Sequence, residues 1–434
     1  MIEDKIYNLK SFQRQFEALI TLSVCDTIKN IRWHTERSKL VDQIDWNNLL
    51  SIASILSYSK KSLHLDAALR IAQTCLTIHK DKDKKNAAVI ILENLTNQPA
   101  LKLAVDRNLI SSSYNKDFPL AFKFQSSKLK IENAVFINSK LRSLNIFQKE
   151  VYVSSKQNET LSISAPTSAG KSFILYQILI DEITQRTRST IVYIVPTRAL
   201  HWFLVENPLK IDLLLVDEAQ KIDDKNRGIL LQQKIEEVVK LNGNIRIFFS
   251  SPFTSNPEIL LENVQNSTKK DIINTQFVAV NQNLIYANQV RRKPDEWDLS
   301  LALIDKIIPL GTISLKFRPT SESKKIALIS ESFSESDKMN LIYSNGPADA
   351  EKYSLVLFDL LPQISQTQNI KDLINLIKKT IHPDYTLAKV LSKGVAFHYG
   401  NMPLLIRQEI ENLFKAGELK YLICTSTLLE GVNL

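Results

Sequence analysis

Glycine is scarce in this chain of 434 residues: there are nine, so each one that falls in a recognisable pattern carries more weight than usual. Cysteine is scarcer, with three residues, Cys25, Cys75 and Cys424. They are odd in number and not spaced for metal, which argues against a disulfide framework or a zinc module. Buried thiols in a reducing compartment are the expectation. No apolar run approaches the roughly 20 residues needed to span a bilayer. The amino-terminal MIEDKIYNLK is charged and lacks an apolar core segment, so it does not read as a signal peptide. A cytoplasmic location without a membrane partner is therefore expected. No fixed repeat period is found either. What is present is the mix of an ordinary globular protein, 44% hydrophobic and 23% charged, long enough for two or three domains. The net charge of +9 favours polyanionic partners, although a lysine-rich surface that only maintains solubility explains it equally well.

Residues 1 to about 140 read as helices. Trp46, Leu49, Leu50, Ala53 and Leu56 fall on one face, as do Leu65, Ala68, Leu69, Ala72 and Leu76. The charged run DKDKK at 81–85 is expected to separate the second of these from a helix over Asn86–Leu95. A further helix over Ala100–Leu109 follows Pro99, a permitted first-turn position. The pattern suggests an array of helical hairpins. His34, His64 and His79 are scattered and read as satisfied surface or core histidines. The polar, broken stretch Ser111–Ser139 is expected to contain a boundary. This region offers no chemistry; partner docking or regulation is its expected role.

From Leu141 the character changes. Short apolar runs alternate with helical patterns: Leu161–Ala165, Ile191–Val195, Leu213–Val216, Ile245–Phe249, Leu341–Tyr343, Val395–His398 and Leu422–Thr425. Runs without polar alternation indicate strands buried on both faces, hence parallel sheets covered by helices. Such sheets place ligands at the carboxyl ends of their strands, and the motifs below all sit there.

The first motif is APTSAGKS, Ala165–Ser172, between an apolar strand and the helical run beginning at Phe173. Strand, small-residue loop, Gly-Lys-Ser and helix is the order a phosphate-binding loop requires. The loop formed by Pro166, Thr167, Ser168, Ala169 and Gly170 turns its amides and the positive helix end toward phosphates. Lys171 would reach the β- and γ-phosphates of ATP, and the Ser172 hydroxyl would ligate Mg²⁺. Ala165 stands where the strict pattern has glycine. The second motif is VDEAQ, Val216–Gln220, after the strand LLLV. Beside a phosphate loop, Asp217 would hold Mg²⁺ and Glu218 would polarise the attacking water; a plain acidic turn is the alternative. Third, PTRAL closes a strand with Thr197 and Arg198, donors suited to a sugar–phosphate backbone. Fourth, SSPF closes another with Ser250 and Ser251, small hydroxyls able to relay the phosphate state. The third and fourth, taken alone, would be ordinary turns.

In this order the motifs resemble those of superfamily 2 nucleic-acid helicases of the Ski-like branch. Besides these four, the resemblance rests on Phe147–Gln148, NLIYSNGPADAEKYS from Asn340, HPDY at 382–385, GVAFHYGNMPLLIRQEIENLF from Gly394 and TSTLLEGVNL from Thr425. It covers roughly residues 140–434. It implies an α/β protein with two RecA-like parallel-sheet domains of the P-loop NTPase type, preceded here by an all-α amino-terminal domain. The expected division is a helical domain over 1–139, an ATP-binding RecA-like domain over 140–275, a strand-rich connector over 276–335 and a second RecA-like domain over 336–434. The family clamps Mg²⁺-bound ATP between the two domains and holds a DNA or RNA single strand across them, moving 3′ to 5′. Carried over residue by residue, Gln148 resembles the glutamine that reads adenine. Thr425, Thr427 and Gly431 resemble the motif coupling strand contact to ATP, with the two threonines at the nucleic acid; Gln220, Ser250 and Ser251 join that coupling. His398 and Arg407 resemble residues opening the helix that packs beneath the second-domain nucleotide face, and there packing or hydrogen bonding is the expected role of His398. More loosely, the helical extension and this core look similar to the helicase subunit of Hachiman-type antiphage defence, which works with a nuclease partner. An ATP-gated clamp or sensor that recruits an effector nuclease without processive unwinding is the rival to a helicase.

Three departures stand out. Gln220 occupies a position where many relatives have histidine, and SSPF replaces the commoner Ser-Ala-Thr. Only 16 residues separate Leu200 from Asp217, and one parallel crossover alone needs about a dozen. The family places two crossovers there, so about 60 residues or more are expected to be missing between Leu200 and His201. Either they have been deleted or the sequence skips them. The chain also ends at Val432-Asn433-Leu434, inside the coupling motif and before the family's arginine finger, worth about 10³–10⁵ in rate. Residues 1–434 by themselves are therefore expected to hydrolyse ATP weakly.

Overall fold

The architecture comes from a computed structural model of the chain. It describes all residues except 1, 29–30, 186–189, 196–209, 224, 253, 255, 263, 265–268, 277–278, 336–337 and 427–434. The motif PTRAL with Thr197 and Arg198, the junction Leu200–His201, Thr427 and Gly431 thus lie outside the described residues. The chain forms two compact units, one of residues 1–19 and 43–282 and the other of 20–42 and 283–434.

The first unit is built on a five-stranded parallel sheet, in the order Ile191–Ile194, Leu213–Val216, Arg246–Ser251, Thr160–Ser164, Lys270–Asn274. Four of these strands coincide with the apolar runs read from the sequence. Successive side chains of a strand point to opposite faces, and both faces here are covered. Leu213, Leu215 and Phe248 pack on one side with Val151, Ile174 and Ile178. Leu214, Val216, Ile247 and Phe249 pack on the other with Ile235, Val238 and Val239. Residues packed on each face from helices explain why these strands lack polar alternation.

One cluster in this unit is charged. Lys156 pairs with Asp181 at 2.5 Å and Glu182 at 3.3 Å, Arg246 pairs with Glu182 at 2.9 Å, and both carboxylates are buried. It ties the helix Ile146–Gln157 and the helix Lys171–Gln185 to the strand beginning at Arg246.

The amino-terminal helices are present, with corrected ends. Asp81 accepts from the Asp83 amide and starts a helix over Lys82–Asn94, so the DKDKK run begins this helix instead of separating two. Asn97 caps Gln98–Asp106 in the same way. Helices of residues 43–132 share the first unit with the parallel sheet. Arg70 donates to the Gln282 carbonyl at 2.9 Å and Asn97 to that of Ala279 at 2.7 Å. The stretch expected to be broken holds a helix, Leu120–Glu132, and most of a hairpin, Ala134–Ile137 with Lys140–Ser143.

The second unit contains a three-stranded parallel sheet in the order Asn340–Tyr343, Tyr421–Cys424, Val395–His398. Its helix Leu404–Lys415 buries the expected stripe Ile406, Ile410, Leu413 and Phe414. Gly417 follows in the left-handed region at φ 74°, and the Glu418 amide bonds back to the Leu413 carbonyl at 3.0 Å. An antiparallel sheet of Leu284–Gln289, Glu296–Ala302 and Ile307–Ser314 fills the segment read as strand-rich. Its edge is completed by Arg32–Trp33 from near the amino terminus, paired opposite Thr312 and Gly311. A side chain at Gly311 would place a Cβ 2.3 Å from the Arg32 carbonyl oxygen, so only glycine admits this edge strand.

Candidate active site

The strand Thr160–Ser164 is fully buried and delivers the chain to Ala165 and Pro166. A single turn, Thr167–Ala169, follows; Gly170 reverses direction at φ 81°, and the helix starts at Lys171. The left-handed backbone at Gly170 is one that glycine adopts without steric cost, which accounts for this glycine in a chain with few. Thr167 is exposed and Ser168 half-buried. Lys171 is 4% exposed, and its ammonium donates to the Ala165 carbonyl at 2.6 Å. Burial lowers its pKa, while Glu218 and Asp217 act to raise it. An ammonium has three donors, and the others are available to an anion held on the loop.

Gln148 lies over this loop. With Asn145 it forms a reciprocal cap at the start of the helix Ile146–Gln157, and its amide donates to the Ala169 carbonyl at 3.3 Å. The structure thus places Gln148 against the phosphate loop.

Asp217, 6% exposed at the end of Leu213–Val216, gathers four donors. Ser250 donates to Oδ1 at 2.9 Å, and the Glu218 amide to the same oxygen at 3.0 Å. Tyr193 donates to Oδ2 at 2.7 Å, with the Ser172 hydroxyl 3.4 Å from that oxygen. Ser172, Asp217 and Ser250 are therefore brought together. Ser251 instead bonds the Ile163 carbonyl at 3.4 Å, in the strand that feeds the loop, and Thr254 at 2.7 Å.

Tyr193 was missed by sequence reasoning. An aromatic residue in an apolar strand reads as core, yet its hydroxyl reaches the carboxylate while its ring stacks on Tyr176 at 5.7 Å. Burial first, and the bond to Asp217 second, keep the phenol protonated well above its usual range.

Glu218 is also unforeseen in one respect: its φ is 52°. A non-glycine residue held there costs of order 1–3 kcal/mol and points to function when observed. Gln220 donates to the Glu218 carboxylate at 2.7 Å, so the residue that replaces histidine orients the neighbouring acid.

In the second unit, Thr425 follows Tyr421–Cys424, is 8% exposed, and donates its amide to the His398 carbonyl at 3.2 Å. His398 is buried with Nε2 3.1 Å from Glu411.

The donor set fits magnesium and a nucleotide triphosphate. Among the described residues no group of three or more His, Cys, Asp or Glu is placed to bind a metal. Mg²⁺ asks for less, since one or two carboxylates suffice when phosphates supply the rest. Ser172 and Asp217 offer hard oxygens 3.4 Å apart beside a buried lysine. Fold and site together fit a P-loop nucleotide hydrolase with RecA-like parallel sheets.

Comparison with known proteins narrows this class. A family model described as DEAD/DEAH box helicase matches residues 145–210. The chain is 27% identical over 247 residues to "Helicase POLQ-like" of Drosophila melanogaster, covering 53% of this chain and 22% of that protein. It is 26% identical over 327 residues to "ATP-dependent DNA helicase MER3" of Saccharomyces cerevisiae, covering 68% and 28%. A short match, 46% identical over 50 residues, is to "Anti-bacteriophage protein B" of Escherichia coli, covering 12% and 7%. Among solved structures, the Mycobacterium smegmatis helicase Lhr bound to ssDNA and AMP-PNP gives a TM-score of 0.42 at 15% identity, over 65% of this chain and 39% of that one. The chain spans 22–28% of the length of the first two relatives. These relatives and the family match support a superfamily 2 helicase, to which nucleotide binding, hydrolysis and nucleic-acid binding belong. No helix among the described residues is long and apolar enough to cross a membrane.

Proposed function

We propose that this chain is the motor portion of an ATP-dependent translocase or helicase that moves 3′ to 5′ along a nucleic-acid single strand. The observation that carries the reading is the convergence of Ser172, Tyr193 and Ser250 on Asp217, beside buried Lys171. Lys171 neutralises phosphate charge with the donors not used on Ala165, and the loop amides and helix start orient the phosphates. Ser172 and Asp217 would hold Mg²⁺, which would supply neutralisation of phosphate charge. Glu218, oriented by Gln220, accepts a proton from the attacking water. Ser250 and Ser251 link Asp217 and the loop strand, and so tie the nucleotide state to the chain beyond them. Thr197, Arg198, Thr425, Thr427 and Gly431 are assigned to strand contact and coupling on the family resemblance alone. The division at residues 139, 275 and 335 belongs to the same reading, as does a cytoplasmic location.

The test is a series on one preparation: ATP hydrolysis with and without DNA or RNA, then strand displacement, each repeated with Lys171→Ala. Slow hydrolysis that nucleic acid stimulates, with displacement, both lost in the variant, is the expected result. Hydrolysis insensitive to both nucleic acids would sink the reading.

A second reading has its own support. The short match to a protein named for action against bacteriophage favours a role in bacterial antiphage defence; that the chain acts there as an ATP-gated clamp or sensor with an effector nuclease rests on the family resemblance alone. Stimulated hydrolysis without displacement is its signature.

A further inference from the structure

The hairpin joining Leu284–Gln289 to Glu296–Ala302 carries Arg291, Arg292 and Lys293 at its turn. The turn is well closed. The Lys293 amide bonds the Val290 carbonyl at 3.1 Å, the Val290 amide bonds that of Glu296 at 2.9 Å, and the Gln289 side chain holds the Pro294 carbonyl at 3.1 Å. Arg318, just past Ser314, which pairs opposite Glu296 beside the turn, joins the turn to line an open concavity of about 390 Å³.

Two features of this concavity need an explanation. The first is electrostatic. Lys293 is paired with Glu296 at 3.0 Å, but among the described residues no ion pair or hydrogen bond engages the side chains of Arg291, Arg292 or Arg318. All three are exposed. Three exposed like charges around one hollow give it a positive potential that favours an anion. The second is conformational. Arg292 sits at φ 64°, in the third position of the turn, where glycine or asparagine is the unstrained choice. The sequence keeps a guanidinium there at a backbone cost, a pattern found where the side chain is wanted for function. A guanidinium fork matches phosphate oxygens in a way that lysine does not.

We infer that the Arg291–Arg292 turn and Arg318 form a nucleic-acid backbone site, reading phosphates without base specificity. The site rests on the nucleic-acid part of the function proposed above but not on ATP chemistry, since it shares no residue with the phosphate loop. It gives the motor a grip on the strand in addition to contacts made by the motifs.

The test uses the full chain and a labelled 30-nucleotide DNA, single-stranded in one arm and blunt duplex in the other, titrated across salt. The triple variant R291A/R292G/R318A should bind more weakly in at least one arm. Three lost phosphate contacts on a single strand should lower the slope of log affinity against log salt by about two. R292G alone should bind more weakly yet melt at or above the temperature of the unaltered chain, because it removes a charge while relaxing the turn. Binding of a fluorescent ATP analogue with Mg²⁺ should not change in either variant. Unaltered affinity and salt slope in the triple variant would overturn the inference while leaving the helicase reading intact. Polyglutamate bound by the unaltered chain and not by the triple variant, with DNA binding unchanged, would assign the hollow to an acidic protein and also overturn it. An unaltered chain that binds no nucleic acid sinks both readings.

Discussion

The two parallel sheets of this molecule are built by the same rule and end in different chemistry. Strands such as Leu213–Val216 and Tyr421–Cys424 are buried at every position and covered on both faces. At the strand ends they diverge. In the first sheet, one buried carboxylate, Asp217, collects four donors, and a buried lysine lies beside it. In the second, Ser344 bonds the Cys424 carbonyl at 3.2 Å and Thr425 the His398 carbonyl, so the polar groups bond back to the sheet itself. Among the described residues of 283–426, no aspartate, glutamate, lysine or arginine is buried. The fold fixes where a site can stand. Burial of charge at that place, with enough donors to hold it, decides whether one does.

The largest effect should come from the buried charges of the first unit, which lie at the opposite end of Arg246–Ser251 from the site. Glu182→Ala removes the carboxylate of Arg246 and leaves Lys156 with Asp181, and breaking a buried pair from one side costs about 3–5 kcal/mol. In the apolar second unit, Ile410→Val removes one buried methyl group and should cost about 1 kcal/mol. Denaturant unfolding followed by two probes, one in each unit, compares them directly. A Glu182 variant no less stable than the Ile410 variant would break the contrast.

Next come substitutions that silence chemistry without harming the fold. Lys171→Ala and Glu218→Gln should each lower the rate of phosphate release by about 10²–10³. Glu218→Gln should keep the affinity for a fluorescent ATP analogue, whereas Lys171→Ala should lose it. Glu218→Gly sharpens the point. Glycine relieves the backbone at φ 52°, so this variant should gain about 1 kcal/mol of stability while losing turnover. A glycine variant less stable than the parent would show that Glu218 is held for packing.

How far these features were legible varies with their physical origin. The buried strands announced themselves because both faces are covered, leaving apolar runs such as LLLV. The strand Lys270–Asn274 escaped notice because it is the sheet edge, and KDIIN with its half-exposed pattern resembles a loop. Arg32–Trp33 could not be seen at all, since Arg32 pairs with Thr312, 280 positions further along the sequence (312 − 32), and the pairing is purely tertiary. At the site, Lys171, Ser172 and Asp217 were readable from spacing. Tyr193 was not, because its role depends on strand order, which sets Ile191–Ile194 beside Leu213–Val216. Nor was the turn of DKDKK into a helix start, which depends on a single cap at Asp81.

Tyr193→Phe offers a smaller test of the same contrast. It deletes one of four donors on Asp217 and should cost about 1 kcal/mol. If Tyr193 positions the carboxylate, the loss should appear as a higher Mg²⁺ concentration for half-maximal binding of the ATP analogue, with stability little changed. Loss of stability alone would make the tyrosine a core residue, as its place in the strand first suggested.

The smallest effect concerns His398, the one histidine among the described residues that is buried beside the second sheet. Burial, the largest cause, lowers its pKa below 6.5, while Glu411 acts in the opposite direction. The neutral ring is thus favoured in the folded state, and the unfolded chain takes up the proton first as pH falls. Stability of this unit should be level above pH 6.5 and decline as pH drops through 6.5 toward the lowered folded value, flattening below it. His398→Gln should reduce that decline when denaturant midpoints at pH 7.5 and 5.5 are compared. Glu411→Gln should enlarge it, because it removes the carboxylate that partly offsets burial. If Glu411→Gln instead abolished the decline, the pair would be behaving as a charged bridge, and the second unit would bury charge after all.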